Sequence, residues 1–404
     1  MSPSELDIMG PAALSDPYRY FARSRETEPV VWDQRHKTWL ILDHKNCLAA
    51  LRDPRFSSDR VNPFIARKLS GPDVSPLVRR AFEVLAGWMV FKDGADHSRL
   101  RTVLARAFTP KAVQAMKERV NTLSDELLAK ISRENPFDLI RDFSIQLPSI
   151  VIAEMLGVPV ADRNKFNRWS EDVAPVVSAS LEDRGKYERV ASGMDALVNY
   201  FAVLLRRYEA EPQDNLITAL LRASDNASAL NEEEILATCT LILFGGHETT
   251  ANLIANSMLA LLRHPDQIEL LHSGRVDMAK MIEEFLRYDG PGKAVVRVIR
   301  EDMEFAGCNM QAGQRVFIVL ATANHDPAAF DDPDVLRLDR DPKHIAFGHG
   351  SHFCMGAALA RLEGSIAIPK VMEAFPRLRL TDDPLNWQPV FLTRGLKELR
   401  VRAS

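Results

Sequence analysis

The feature that most constrains this chain is an unbroken helical pattern running from Asn231 to His264. Asn231 and Glu234 have the form of a capping box, in which each side chain serves the other's backbone N–H, and Pro265 ends the pattern because it cannot continue a helix. At 1.5 Å per residue this is a rod of roughly 50 Å. Its middle, Leu241-Ile242-Leu243-Phe244-Gly245-Gly246, is apolar on all sides, so the helix is expected to be buried. A rod of that length, buried at its centre, points to a mainly helical fold.

The rest of the chain agrees. Pro17 to Glu28 reads as a helix, and Val30–Trp32 with Thr38–Leu42 reads as a small β-hairpin. Residues 59 to 75 carry Pro, Gly and Asn with weak periodicity and read as a loop region. Helical spacing runs from His97 to about Arg133, broken at Thr109-Pro110, and dominates again as far as Leu286. Short strands are expected near Ala294–Val298, Met303–Phe305 and Arg315–Val319. The fold class is therefore mostly α with a minor β part. Length alone would suggest two or three domains, but no linker, repeat or low-complexity tract divides the 404 residues, and a single domain over 1–404 is expected.

A formal net charge of -4 gives no support for nucleic-acid binding. Cys47, Cys239, Cys308 and Cys354 are scattered without a C-x-x-C pair, which suits a reducing compartment. The first residues lack the basic and apolar regions of a signal peptide, and no apolar stretch reaches the ~18 residues needed to span a bilayer. A cytoplasmic protein without a membrane anchor is expected.

Cys354 ends the run Phe347-Gly348-His349-Gly350-Ser351-His352-Phe353-Cys354-Met355-Gly356, just before the helix-like Ala357–Glu363. Gly348, Gly350 and Gly356 allow turns closed to other residues, and a sulfur at a helix N-terminus is stabilised as thiolate. A lone cysteine of this kind is ordinarily a buried structural one. The full spacing F-G-x-G-x-H-x-C-x-G, however, resembles the haem-ligand signature of the cytochrome P450 family. The resemblance implies haem b as cofactor and Cys354 as the ligand of its iron, with Phe347, Gly348 and Gly356 shaping the loop. A thiolate there pushes electron density onto the metal and favours O–O cleavage. The implied fold holds the haem between a long central helix and the cysteine-loop helix.

Three further motifs follow the family's order. Gly245-Gly246-His247-Glu248-Thr249-Thr250 resembles its (A/G)-G-x-(D/E)-T-T pattern. Two glycines in a helix cost about 1 kcal/mol each relative to alanine, and the compensation implied is a distorted helix that opens a groove for O2 at Gly245. Thr249 then orients oxygen and a water, and Glu248 feeds protons. His247 is taken as a neighbouring polar residue. Glu284 and Arg287 form E-x-x-R, with Glu283 a rival partner for Arg287; in the family this pair joins an arginine upstream of the cysteine loop, here Arg340 in preference to Arg337. His97 and Arg101, spaced i, i+4, together with Arg297 and His352, match cations that hold haem propionates.

The implied activity is that of a monooxygenase inserting one oxygen atom from O2 into a small apolar organic molecule, by hydroxylation or epoxidation. Oxidative coupling or cyclisation on the same fold, a peroxide-driven peroxygenase and a non-catalytic haem sensor are the alternatives; Glu248-Thr249 argues against the last two. Electrons would come from a ferredoxin and its reductase, docking near Arg106, His344 and Arg361, with the enzyme acting as a monomer. A carry-over of the family's substrate chamber gives Leu241, Phe244, Ala294, Val295, Phe391, Leu392 and the Trp88–Val90 segment, including Met89 and Val90. Lys293 stands where a neutral residue is common and is expected to reach a propionate or solvent.

Overall fold

The computed structural model describes residues 6–177, 185–223 and 230–403. It divides into two compact units. The first comprises residues up to Phe56, Ala115–Pro148 and Thr249 onward; the second comprises Ser57–Gln114 and Ser149–Glu248.

All the larger β-structure belongs to the first unit. In chain order the strands are β1 (Val30–Asp33), β2 (Thr38–Ile41), β3 (Phe56–Ser57), β4 (Phe137–Asp138), β5 (Val295–Ile299), β6 (Met303–Phe305), β7 (Cys308–Met310), β8 (Arg315–Ile318), β9 (Arg379–Leu380) and β10 (Arg400–Arg402). They make a five-stranded sheet of order β1-β2-β8-β5-β3, a three-stranded sheet β4-β10-β9 and the β6–β7 hairpin. β1 and β2 form the expected antiparallel hairpin, with Val31 opposite Leu40, while β2 runs parallel to β8. The larger sheet is buried on both faces. Ile41, Val316 and Ile318 enter one apolar cluster, and Leu40, Val296 and Phe317 enter another. That is why these strands read as nearly continuous apolar runs. The helices Met278–Asp289 and Ala357–Ala374 pack together in this unit.

The second unit is helical. The helix Arg163–Val177 packs on Lys186–Ala210, which also receives Pro76–Gly87. Phe64, Phe82 and Tyr187 form an aromatic cluster beside them. Phe64 belongs to a helix, Asn62–Lys68, inside the stretch expected to be loop. Asn62-Pro63 reads as a turn, but proline in a first helical turn forfeits no hydrogen bond. The helix Gly94–Ala107 ends before the expected break at Thr109-Pro110, and a new helix, Pro110–Ala115, starts at it.

The long helix spans Glu232–Arg263 and passes from the second unit to the first between Glu248 and Thr249. Its capping box forms as expected: Glu234 N–H donates to Asn231 Oδ1 at 2.8 Å, and Asn231 N–H donates to Glu234 Oε2 at 3.1 Å. Among the described residues no helix is long and apolar enough to cross a membrane.

Candidate active site

The cysteine loop is shaped by two glycines in the left-handed region, Gly348 (φ 72°) and Gly350 (φ 73°). Gly356 departs from expectation. It has ordinary φ of -80° and serves as N-cap of the helix Ala357–Ala374. Its lack of a side chain matters for space, since an added Cβ would lie 3.9 Å from Cys354 Sγ. The loop is tied by Cys354 N–H donating to Phe347 O at 3.0 Å and Gly348 N–H to Ile345 O at 2.8 Å. Cys354 is exposed, whereas Cys47 and Cys239 are buried, and burial pushes both of their thiols up in pKa. His352 is half-buried in the loop's single 3₁₀ turn.

Behind the loop, Glu284 and Arg287 form a fully buried pair with both contacts at 2.8 Å. Arg340 Nε donates to Glu284 Oε1 at 3.2 Å, while Arg337 contributes its backbone N–H, so Arg340 is the third side chain of the network. Arg287 also donates to the carbonyls of Asn324, Pro333 and Val335. A buried charge network is tolerable only when its members are satisfied in this way. Glu283 does not compete for Arg287. It binds Arg361 at 2.6 Å and His344 at 3.0 Å. Sequence reasoning had no means to find these contacts, because the partners lie 78 and 61 positions away.

The middle of the long helix is not buried all round. Leu243, His247 and Thr250 are buried, but Leu241, Phe244 and Glu248 are half-buried and Gly245 is exposed. Ile242, Gly246 and Thr249 are half-buried as well, and the buried residues follow the i, i+4, i+7 spacing of one helix face. At Gly245 an added Cβ would meet nothing within 4 Å, whereas at Gly246 it would come within 2.8 Å of Ile152. One glycine thus keeps a face open and its neighbour permits close packing. His247 bonds back to Leu243 O at 2.8 Å through Nδ1, and its burial lowers its pKa. Burial, reinforced by the charge of Glu171, raises the pKa of Glu248. Trp88 is fully buried with its Nε1–H donating to Thr240 at 2.9 Å, and its ring lies against Phe244.

His97 is buried and Arg101 half-buried, one turn apart on Gly94–Ala107. Arg297 sits on β5 opposite Val316 and is 9% exposed. Of the expected chamber residues, Ala294 and Phe391 are buried in an apolar cluster with Phe21 and Phe317. Val295 and Leu392 are half-buried, Met89 is buried and Val90 is exposed. Lys293 reaches neither solvent nor a charged partner among the described residues. Its backbone N–H pairs with Leu392 O at 2.9 Å, and its Nζ lies 5.5 Å from the Phe391 ring centre. Burial and then the nearby Arg394 lower its pKa to about 7.

A single thiol does not hold a bare metal ion, and among the described residues no three His, Cys, Asp or Glu side chains gather as a metal-binding group. The exposed Cys354 fits instead a group that brings its own equatorial ligands, as haem does.

The cytochrome P450 family model matches residues 66–273 and 278–393. Cytochrome P450 107B1 of Saccharopolyspora erythraea is 37% identical over 97% of this chain and 96% of its own length. Vitamin D(3) 25-hydroxylase of Pseudonocardia autotrophica is 35% identical over 98% and 96%. The structure of P450BioI in complex with hexadec-9Z-enoic acid ligated acyl carrier protein has a TM-score of 0.88 and 32% identity, covering 96% of this chain and 99% of that one. The match runs through both units and through every motif described above, and the chain belongs to the cytochrome P450 family, oxidoreductases that use haem iron and O2.

Proposed function

We propose that this cytochrome P450 is a monooxygenase that inserts one oxygen atom into a small, largely apolar organic substrate. Haem supplies the redox-active iron and the O2 chemistry. Cys354 is its thiolate ligand, His97, Arg101, Arg297 and His352 compensate the propionates, and Glu284, Arg287 and Arg340 hold the backbone behind the cysteine. Relatives named for vitamin D3 hydroxylation and for a fatty acyl group on a carrier protein support an apolar substrate. Leu241, Phe244, Val295 and Leu392 would meet it. Reduction by a ferredoxin in the cytoplasm, with the whole chain acting as one domain, completes the reading.

The observation that carries a monooxygenase over a peroxygenase is the open helix face with Glu248 at its end. Burial, reinforced by the charge of Glu171, keeps a proton on Glu248 to higher pH than an exposed carboxyl would hold it, which suits a proton donor. Thr249, the next residue, offers a hydroxyl that can orient a water and pass that proton on. The test is coupling. Thr249→Ala should still bind substrate and consume electrons, with product per electron pair falling several-fold and peroxide rising. Glu248→Gln should slow turnover by 10²–10⁴-fold, the range for a lost general acid, and leave substrate affinity nearly unchanged. Unchanged coupling in both variants would favour the peroxygenase.

A further inference from the structure

The helix Met278–Asp289 carries at its middle two adjacent carboxylates with separate tasks. Glu284 closes the buried network, and Glu283 faces the helix that follows the cysteine. Its Oε1 accepts from Arg361 Nε at 2.6 Å and its Oε2 from Arg361 Nη2 at 2.8 Å, a two-pronged fork. His344 Nε2 lies 3.0 Å from the same Oε2. Since His344 Nδ1 accepts the Ala346 N–H at 3.1 Å, the ring proton sits on Nε2 and points at Glu283. Gripped this way, the Arg361 guanidinium lies over the Phe347 ring, 4.6 Å from its centre. Phe347 is the residue whose carbonyl receives the Cys354 N–H. The contacts thus run from Glu283 through Arg361 and Phe347 to Cys354.

Resting on the reading of Cys354 as haem ligand, we propose that Glu283 is a positioning residue for the iron-binding loop: it locks Arg361 flat on Phe347 and so fixes one positive charge beside the segment that presents the sulfur. Isolated pairs at a protein surface contribute little. This one is bidentate, half-buried, shared with a histidine and stacked on an aromatic face, the setting in which arginine is not replaceable by lysine. A fixed cation there favours the anionic sulfur and the extra electron taken up on reduction. The His344 side chain is buried in this group, whereas Arg361 keeps about a third of its side chain exposed.

The experiment uses haem-loaded protein and reads two properties: the reduction midpoint potential, and the share of the thiolate-type Soret band in the reduced carbon monoxide form. R361Q should lower the potential and lose part of the thiolate-type band. E283Q separates positioning from bare charge. Removing an anion would by itself raise the potential; releasing Arg361 to solvent lowers it toward the R361Q value. In the double variant E283Q should add little to R361Q, because it acts through that residue. A raised potential in E283Q, or effects that sum in the double variant, overturns the proposal. If R361Q does not retain haem, R361K, which keeps the charge without fork or stacking, should show an intermediate shift, and wild-type values there overturn the proposal equally. A wild-type protein without the thiolate-type band would instead sink the haem–thiolate reading itself.

Discussion

Glu284 and Arg287 show how little tolerance a single buried position can have. Both side chains are fully excluded from solvent, and Arg287 makes five hydrogen bonds, two of them to Glu284. Removing one partner leaves an uncompensated buried charge, a loss of about 3–5 kcal/mol. Glu284→Gln and Arg287→Lys should each cut the haem-to-protein ratio of cell-made enzyme severely. Recovery of fully loaded but inactive protein would contradict that structural role. Lys293 presents the opposite case, a buried cation with no ion pair among the described residues and only the more distant charge of Asp289 to offset burial and Arg394. Its folded pKa of about 7 lies far below the ~10.4 of an unfolded chain. The penalty for burying it charged is therefore present in full below pH 7, and stability rises with pH from there toward 10 as the unfolded state alone stays protonated. Lys293→Met should flatten that rise and raise the denaturation midpoint at pH 6–7, a gain on the order of 1–3 kcal/mol. A parallel pH slope in wild type and variant would refute this.

At the scale of elements, the long helix was legible because its signals are local. Asn231, Glu234 and Pro265 mark its ends within a few residues, and the capping box forms as read. Asn231→Ala should cost about 1 kcal/mol, measurable as a lower unfolding midpoint with turnover per haem unchanged. The open face at its centre was not legible. Leu241 and Phe244 are apolar, and apolar residues on every side ordinarily signal burial; only the surrounding fold decides that Gly245 stays accessible. The same limit applies to the burial of Phe391 and Ala294. A resemblance can place a segment at a chamber wall, but which way each side chain turns depends on pairings such as Lys293 with Leu392. The Asn62–Lys68 helix was lost to its own Asn-Pro start.

Across the whole molecule, the motifs that carry chemistry were readable, since each is a short run with fixed spacing, and the pairings between distant runs were not. Arg340 was found only because a known pattern pointed to it, and Glu283 with Arg361 and His344 had no such guide. Those pairings bear on how the chain can vary. Adjacent residues on a helix point about 100° apart, so Glu283 and Glu284 can reach two different segments only from one register. Inserting or deleting a single residue upstream within Met278–Asp289 would swing both carboxylates away from their partners at once, and no second substitution restores two directions together. A length change inside this helix should therefore cost haem loading more than one in the connection before it. Two neighbouring side chains thus fix the register that this helix has to keep.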